Sequence, residues 1–286
     1  MIASLAVLLW AGTGAPIGEA NAAFPGRNGE IAFSGSYSIS RFQIFVMRAD
    51  GTHQRVLTED FDYHFDPAIS PDGKTIAFAT RDSNGGGTWI CAMRADGTDQ
   101  HPLAPRSFSD DQPAFSPDGK RIVFRRHRLF KGTEIDVMRA NGTHQRKLTS
   151  GGQNPSFTPD SRRVIFQRDH QIYRMGFDGS HRRQLTHGPR DAIHPAVSPD
   201  GETIAFVRHH GDTRDIYTMR ADGSHQKRLT DSRADAPAFS PDGRKIVFEQ
   251  INHAHTRYLL YKMDADGSHP RPLANDAHSP DWGPRA

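Results

Sequence analysis

One cysteine, Cys91, among 286 residues rules out an internal disulfide, so the fold must stand on its packed core. It lies in an apolar run, Trp89-Ile90-Cys91-Ala92-Met93, and reads as a small buried hydrophobe rather than a nucleophile. Long hydrophobic stretches are missing too: the run Ile2–Gly12 is too short to span a bilayer. Charge of one sign is not in excess, with Lys+Arg 36 against Asp+Glu 33, which argues against the dense basic surface that nucleic acid demands. The nearest approach to one is Arg125-Arg126-His127-Arg128 with Lys131, a single loop. No stretch keeps a 3.6-residue hydrophobic period, which excludes a helical bundle. There is no Gly-x-Ser-x-Gly nucleophile elbow.

What is abundant is turn chemistry. Gly 26 and Pro 19 recur at fixed places instead of clumping, as regularly spaced turns require and a disordered tract does not. Ser-Pro-Asp-Gly or a near copy stands at Ser70–Gly73, Ser116–Gly119, Thr158–Ser161, Ser198–Gly201 and Ser240–Gly243. Asp-Gly or Asn-Gly begins at Asp50, Asp96, Asn141, Asp178, Asp222 and Asp266, and each is followed by a Leu-Thr or Leu-Ala pair beginning at Leu57, Leu103, Leu148, Leu185, Leu229 and Leu273. The period of about 42 residues is that of a four-stranded propeller blade. Within a unit, β-rich runs such as Thr75–Phe78 and Ile216–Met219 are separated by these turns, where glycine supplies positive φ. Arg27–Phe33 reads as a second strand lacking its first, and Ser279–Gly283 as a first strand lacking the rest. Paired, they close a ring and remove its exposed edges. The expectation is an all-β, six-bladed β-propeller over residues 23–286, four antiparallel strands per blade, the sixth blade closed by the N- and C-terminal strands. Residues 1–22, ending in Ala20-Asn21-Ala22 but without Lys or Arg before Arg27, read as a cleaved export signal.

The pattern Pro-x-x-Ser-Pro-Asp-Gly, Ile-Ala-Phe, Ile-Tyr-x-Met-x-Ala-Asp-Gly, Arg-x-Leu-Thr, best preserved from Pro195 to Thr230, resembles the PD40 (WD40-like) repeat of TolB-like proteins. It lacks the Gly-His and Trp-Asp pairs of true WD40 repeats. The resemblance implies a non-enzymatic periplasmic or secreted monomer that binds a protein of the cell envelope, of the peptidoglycan-associated lipoprotein type. Similar repeats in oligogalacturonate lyases imply the alternative, a metal-dependent polysaccharide lyase or glycan binder, with His64, His194, His278 and Gln112 as the nearest candidates.

Alternate connections of a four-stranded blade emerge on opposite faces. The uniform turns share one face and the long variable loops the other, where binding residues are expected. Loops entering the inner strands are acidic, among them Asp66, Asp110, Asp111, Asp191 and Asp235, with His64, His194 and His278 between them. Loops within blades are basic and histidine-bearing: Arg41, Arg125, Arg126, His209, Arg214, His253 and His255 are examples. The reading is an acidic channel mouth inside a basic rim. Partner binding is placed on Asp66, Asp111, His194, Asp235 and His278, and a divalent cation, if held, on Asp66, His64, His194 and His278. A second histidine series, His53, His144, His181, His225 and His269 with Asp99 in the remaining copy, follows the Asx-Gly turns. These open the outermost strand, roughly 20 Å from the axis at ~4.8 Å per strand, and are too far apart to share an ion.

Overall fold

The computed structural model describes residues 24–38, 41–103, 109–210, 213–231, 233–252 and 257–286; the expected export signal lies outside them. Every regular element among them is a strand, and no helix is long and apolar enough to cross a membrane. The chain is an all-β propeller. Its first unit is β1 (Asn28–Ser38), β2 (Arg41–Met47) and β3 (Arg55–Val56), completed by β24 (Ala277–Pro284) in the order β24-β1-β2-β3. Next come β4 (Tyr63–Ile69), β5 (Thr75–Arg81), β6 (Thr88–Arg94) and β7 (His101–Pro102), then β8 (Ser109–Phe115), β9 (Arg121–Arg128), β10 (Gly132–Arg139) and β11 (Arg146–Ser150). These two quartets form one eight-stranded sheet, because a single parallel bridge joins Thr88 to Ser109. Three four-stranded sheets follow: β12 (Gln153–Phe157), β13 (Arg163–Arg168), β14 (Gln171–Gly176), β15 (Arg183–Gln184); β16 (Ala192–Val197), β17 (Thr203–His210), β18 (Thr213–Arg220), β19 (Lys227–Arg228); β20 (Ala234–Phe239), β21 (Lys245–Ile251), β22 (Tyr258–Asp264), β23 (Arg271–Asn275).

Strands packed by neighbours on both faces need apolar side chains at consecutive positions. Accordingly β16 and β20 are buried throughout, and β6 is buried from Thr88 to Met93, Cys91 included. The core lies between units: Ala32, Ile44 and Val46 of the first pack with Ile69, Phe78 and Trp89 of the next. Ring closure has its own core, in which Ile31, Phe33 and Trp282 meet Val247 and Leu260.

The two sequence markers of the repeat meet across each seam. A Cβ built on Gly142, at φ +82°, would lie 2.0 Å from the carbonyl oxygen of Leu103 in the preceding unit, and one on Gly223 2.3 Å from that of Leu185. The relation runs round the ring, and Gly51 against Leu273 closes it. The Asx residue before the glycine builds the turn, as Asp222 Oδ1 accepts from Ser224 N at 2.9 Å. The histidine that follows adopts left-handed backbone in every copy, φ 51–56° for the five histidines and 59° for Asp99. Asp and His are among the few side chains that tolerate that conformation. The histidine series is a backbone requirement, and Nδ1 of His53, His144, His181 and His225 stays on the adjacent Thr or Ser hydroxyl.

Closure carries one anomaly. Asp281 in β24 is buried at 3% exposure, at the position that Ala68, Ala114, Ser156, Ala196 and Ala238 occupy in the other inner strands. Its Oδ2 accepts the Ile69 amide at 2.5 Å, but burial outweighs the backbone hydrogen bonds and pushes its pKa up to about 7.

Two outcomes follow. Gly142→Ala should lower Tm by several degrees, costing more than about 2 kcal/mol through combined strain and clash, whereas Gly85→Ala, at φ +87° with nothing within 4 Å, should cost only about 1 kcal/mol of strain. Thermal melts of the two variants check this. Asp281 binds its proton more tightly folded than unfolded, so its contribution is fully present below about pH 4 and is lost as pH rises to about 7. Asp281→Asn should therefore raise Tm at pH 8 and leave it nearly unchanged at pH 4, as paired melts would show.

Candidate functional site at the channel mouth

Each inner strand carries a proline, and the residue before it breaks the strand. Asp66, Gln112, Asn154, His194, Ala236 and Ser279 precede Pro67, Pro113, Pro155, Pro195, Pro237 and Pro280, and all six have φ between 47° and 57°. Ladder register shifts at each of them, between Phe65 and Ala68, for example, and between Ile193 and Ala196. Proline has no N–H for the ladder, and the bulge swings the preceding residue out of strand geometry. Its displaced amide needs another acceptor. Side chains supply it: Ser34 Oγ accepts from Asp66 N at 3.2 Å, Gln112 Oε1 from Asn154 N at 2.8 Å, and Glu249 Oε1 from Ser279 N at 2.5 Å. These bonds also tie one unit to the next, as does Ser279 Oγ donating to Asp66 Oδ1 at 3.2 Å.

On the long-loop face this ring opens into a cavity of about 340 Å³ whose lining includes Asp66, Asp111, Gln112, Asn154 and His194. Its charges are locked together. Arg125 grips Asp111 with two nitrogens, Nε at 2.7 Å, and reaches Gln153 Oε1 at 3.2 Å. Asp235 holds His194 Nδ1 through one oxygen and Arg214 Nη1 at 2.8 Å through the other. Burial drives the Asp235 carboxyl up, but His194 and Arg214 outweigh it and hold its pKa at about 2, so it stays ionised throughout the physiological range. The side-chain oxygen Oδ1 of Asn154 and Nε2 of His209, both in the lining residues, are buried without hydrogen-bond partners among the described residues. A larger hollow of about 740 Å³ lies on the short-turn face, walled by Gly29, Gly73, Arg48 and Pro284–Ala286. Its charged residues, among them Arg55 paired with Glu30 at 2.8 Å, belong to the uniform turns, the strands beside them and the chain end rather than to the variable loops.

The expected residues divide. Asp66, Asp111 and His194 line the mouth, with Asp235 directly behind His194. His64 and His278 do not reach it. His64 is bound to Asp60 at 2.7 Å and Thr80 at 3.1 Å and lies against Phe78. His278 packs between Phe42 and Tyr258, 3.4 Å from Glu249. The four positions expected to share a cation are thus held by separate partners, and among the described residues no three His, Cys, Asp or Glu side chains form a ligand set. The acidic ring and basic rim are also not segregated. Rim arginines turn inward and neutralise the ring, and Asp110 with Arg126 is a fully buried pair. His253 and His255 lie outside the described residues. Asn154 and Gln167, which also lines the cavity and accepts from Asn154 Nδ2 at 2.8 Å, went unnoticed because neither is charged; the x-Pro pair recurring in each inner strand is the signal that marks Asn154 and its ring partners.

No curated protein matches the sequence. Among solved structures, TolB from Acinetobacter baumannii superposes with a TM-score of 0.78 at 24% identity, over 90% of this chain and 67% of that one. A TolB candidate from Agrobacterium tumefaciens gives 0.71 at 23%, over 87% and 89%. An oligogalacturonate lyase from Vibrio parahaemolyticus is more distant, 0.59 at 14%, over 90% and 79%. Residues 19–286 match the PD40 family, described as the TolB beta propeller domain, and with a repeat whose markers interlock around a closed ring, the chain belongs to that family.

Proposed function

We propose that the chain is an exported six-bladed propeller that binds a protein partner of the cell envelope at its channel mouth, without catalysing a reaction. The eight-stranded sheet counts as two blades joined by one bridge, and six pre-proline residues, one per inner strand, support the same number. Export through residues 1–22 into the periplasm or the medium, and a partner of the peptidoglycan-associated lipoprotein type, accord with membership of the TolB family. The observation that carries the reading is the locked lining of the mouth. Arg125–Asp111 and Arg214–Asp235–His194 are paired before any partner arrives, so little side-chain ordering remains to oppose association.

Affinity capture from a cell-envelope extract tests this, with residues 23–286 as bait and an Asp111→Ala, Arg214→Ala variant as control. Both side chains are partly exposed, so the variant should fold, and circular dichroism checks that it does. One envelope protein retained by the unaltered bait at least tenfold better than by the variant is the expected result. Equal retention by both would move the interface elsewhere. Ultraviolet-absorbing unsaturated products from pectic substrates would replace the reading with the lyase.

A further inference from the structure

Arg126 and Arg208 hold the same place in two units. Ladder register sets Asp110 opposite Arg126 and Ala192 opposite Arg208. On the next strand it sets Asp136 opposite Phe124 and Tyr217 opposite Phe206. Each guanidinium lies over the ring two residues before it, Arg126 at 5.0 Å from the Phe124 centroid and Arg208 at 5.5 Å from that of Phe206.

Their surroundings differ. Arg126 Nε and Nη2 donate to the two oxygens of Asp110, each at 2.8 Å, in the parallel geometry that makes arginine selective for planar carboxylates. Its Nη1 donates to Asp136 at 2.8 Å. In the other unit Ala192 and Tyr217 replace both acids. The same two nitrogens of Arg208, Nε and Nη2, are buried and have no hydrogen-bond partner among the described residues. Tyr217 instead adds a second aromatic wall, 5.9 Å from the Arg208 guanidinium. Burial, with the positive charge of Arg190 added to it, pushes Arg208 below the ordinary arginine range. Arg126 is raised, because hydrogen bonding and charge from Asp110 overcome its burial. Arg208 as a whole is half-buried, yet two of its nitrogens are shut off from solvent with no carboxylate against them among the described residues, an arrangement that costs stability and calls for an explanation beyond it.

We propose that Arg208 is a receptor for a carboxylate from outside the chain, which meets Nε and Nη2 as Asp110 meets those of Arg126, between the walls of Phe206 and Tyr217. The ligand is a planar carboxylate, carried by a small molecule or by an acidic side chain of a partner. The site stands apart from the channel-mouth reading: the neighbouring His209 lines that cavity, whereas Arg208, the next side chain along the strand, does not.

Thermal melts at pH 7 and constant ionic strength test the site, with chloride replaced stepwise by acetate to ~100 mM, or with a capped Gly-Asp-Gly peptide added. Acetate should raise the Tm of the unaltered chain by a few degrees, and that of Arg208→Gln not at all. A response to the peptide far stronger than to acetate would assign the carboxylate to a partner's side chain; a stronger response to acetate would assign it to a small molecule. In chloride alone Arg208→Gln should melt no lower than the unaltered chain, since it removes an unpaired charge. Ala192→Asp, which restores the arrangement around Arg126, should melt higher and ignore acetate; should it fail to fold, Arg208→Gln carries the test. Equal acetate shifts with and without Arg208, no shift with either probe, or a large loss of Tm in Arg208→Gln would each overturn the proposal.

Discussion

The contact between a turn glycine and the leucine carbonyl of the preceding unit is the constraint on which the ring depends. At Gly142 and Gly223 the approach leaves no space for a methyl group, and the series closes on itself from Leu273 to Gly51. Such a contact fixes distance and angle between units without any side chain. The side chains that fill each seam, such as Phe78 and Trp89 against Ile44, can then be close-packed because the backbones are already placed. The Asx carboxylate and the left-handed histidine on either side of the glycine hold the turn that presents it. Three residue types that look like separate features of the repeat are parts of one device.

A second constraint acts at the axis. Proline in each inner strand withdraws one donor from the ladder, and the left-handed residue before it turns another amide aside. Satisfying these amides recruits Ser34, Gln112 and Glu249, and with them a polar girdle that crosses from unit to unit. The mouth is therefore polar for structural reasons before it is polar for functional ones. Its ion pairs reflect the same economy: carboxylates drawn into a confined space pull the nearest arginines inward, which is why the ring and rim neutralise each other. Against that background the unit that leaves two nitrogens of Arg208 without a partner among the described residues stands out, because its counterpart around Arg126 is complete.

The all-β repeat, its turns and the joining of Asn28–Ser38 to Ala277–Pro284 were legible in the chain, because turn chemistry is local: Asp-Gly and Ser-Pro-Asp-Gly specify backbone conformations within four residues. Cys91 was legible for a similar reason, since an apolar run in a doubly packed strand is buried whatever its neighbours are. Asp66, Asp111 and His194 were placed at the mouth by counting strands alone. What only the tertiary structure decided were the pairings across seams. His194 directly precedes the proline of its inner strand and enters the mouth, whereas His278 and His64, one and two positions further from theirs, lie in aromatic surroundings, and sequence type alone does not tell these positions apart. Whether Arg126 and Arg208 find acids depends on residues 16 positions earlier and about 10 later, brought alongside by ladder register. Local conformation is encoded in neighbours along the chain, whereas charge compensation is encoded in neighbours across it, and only folding makes those adjacent.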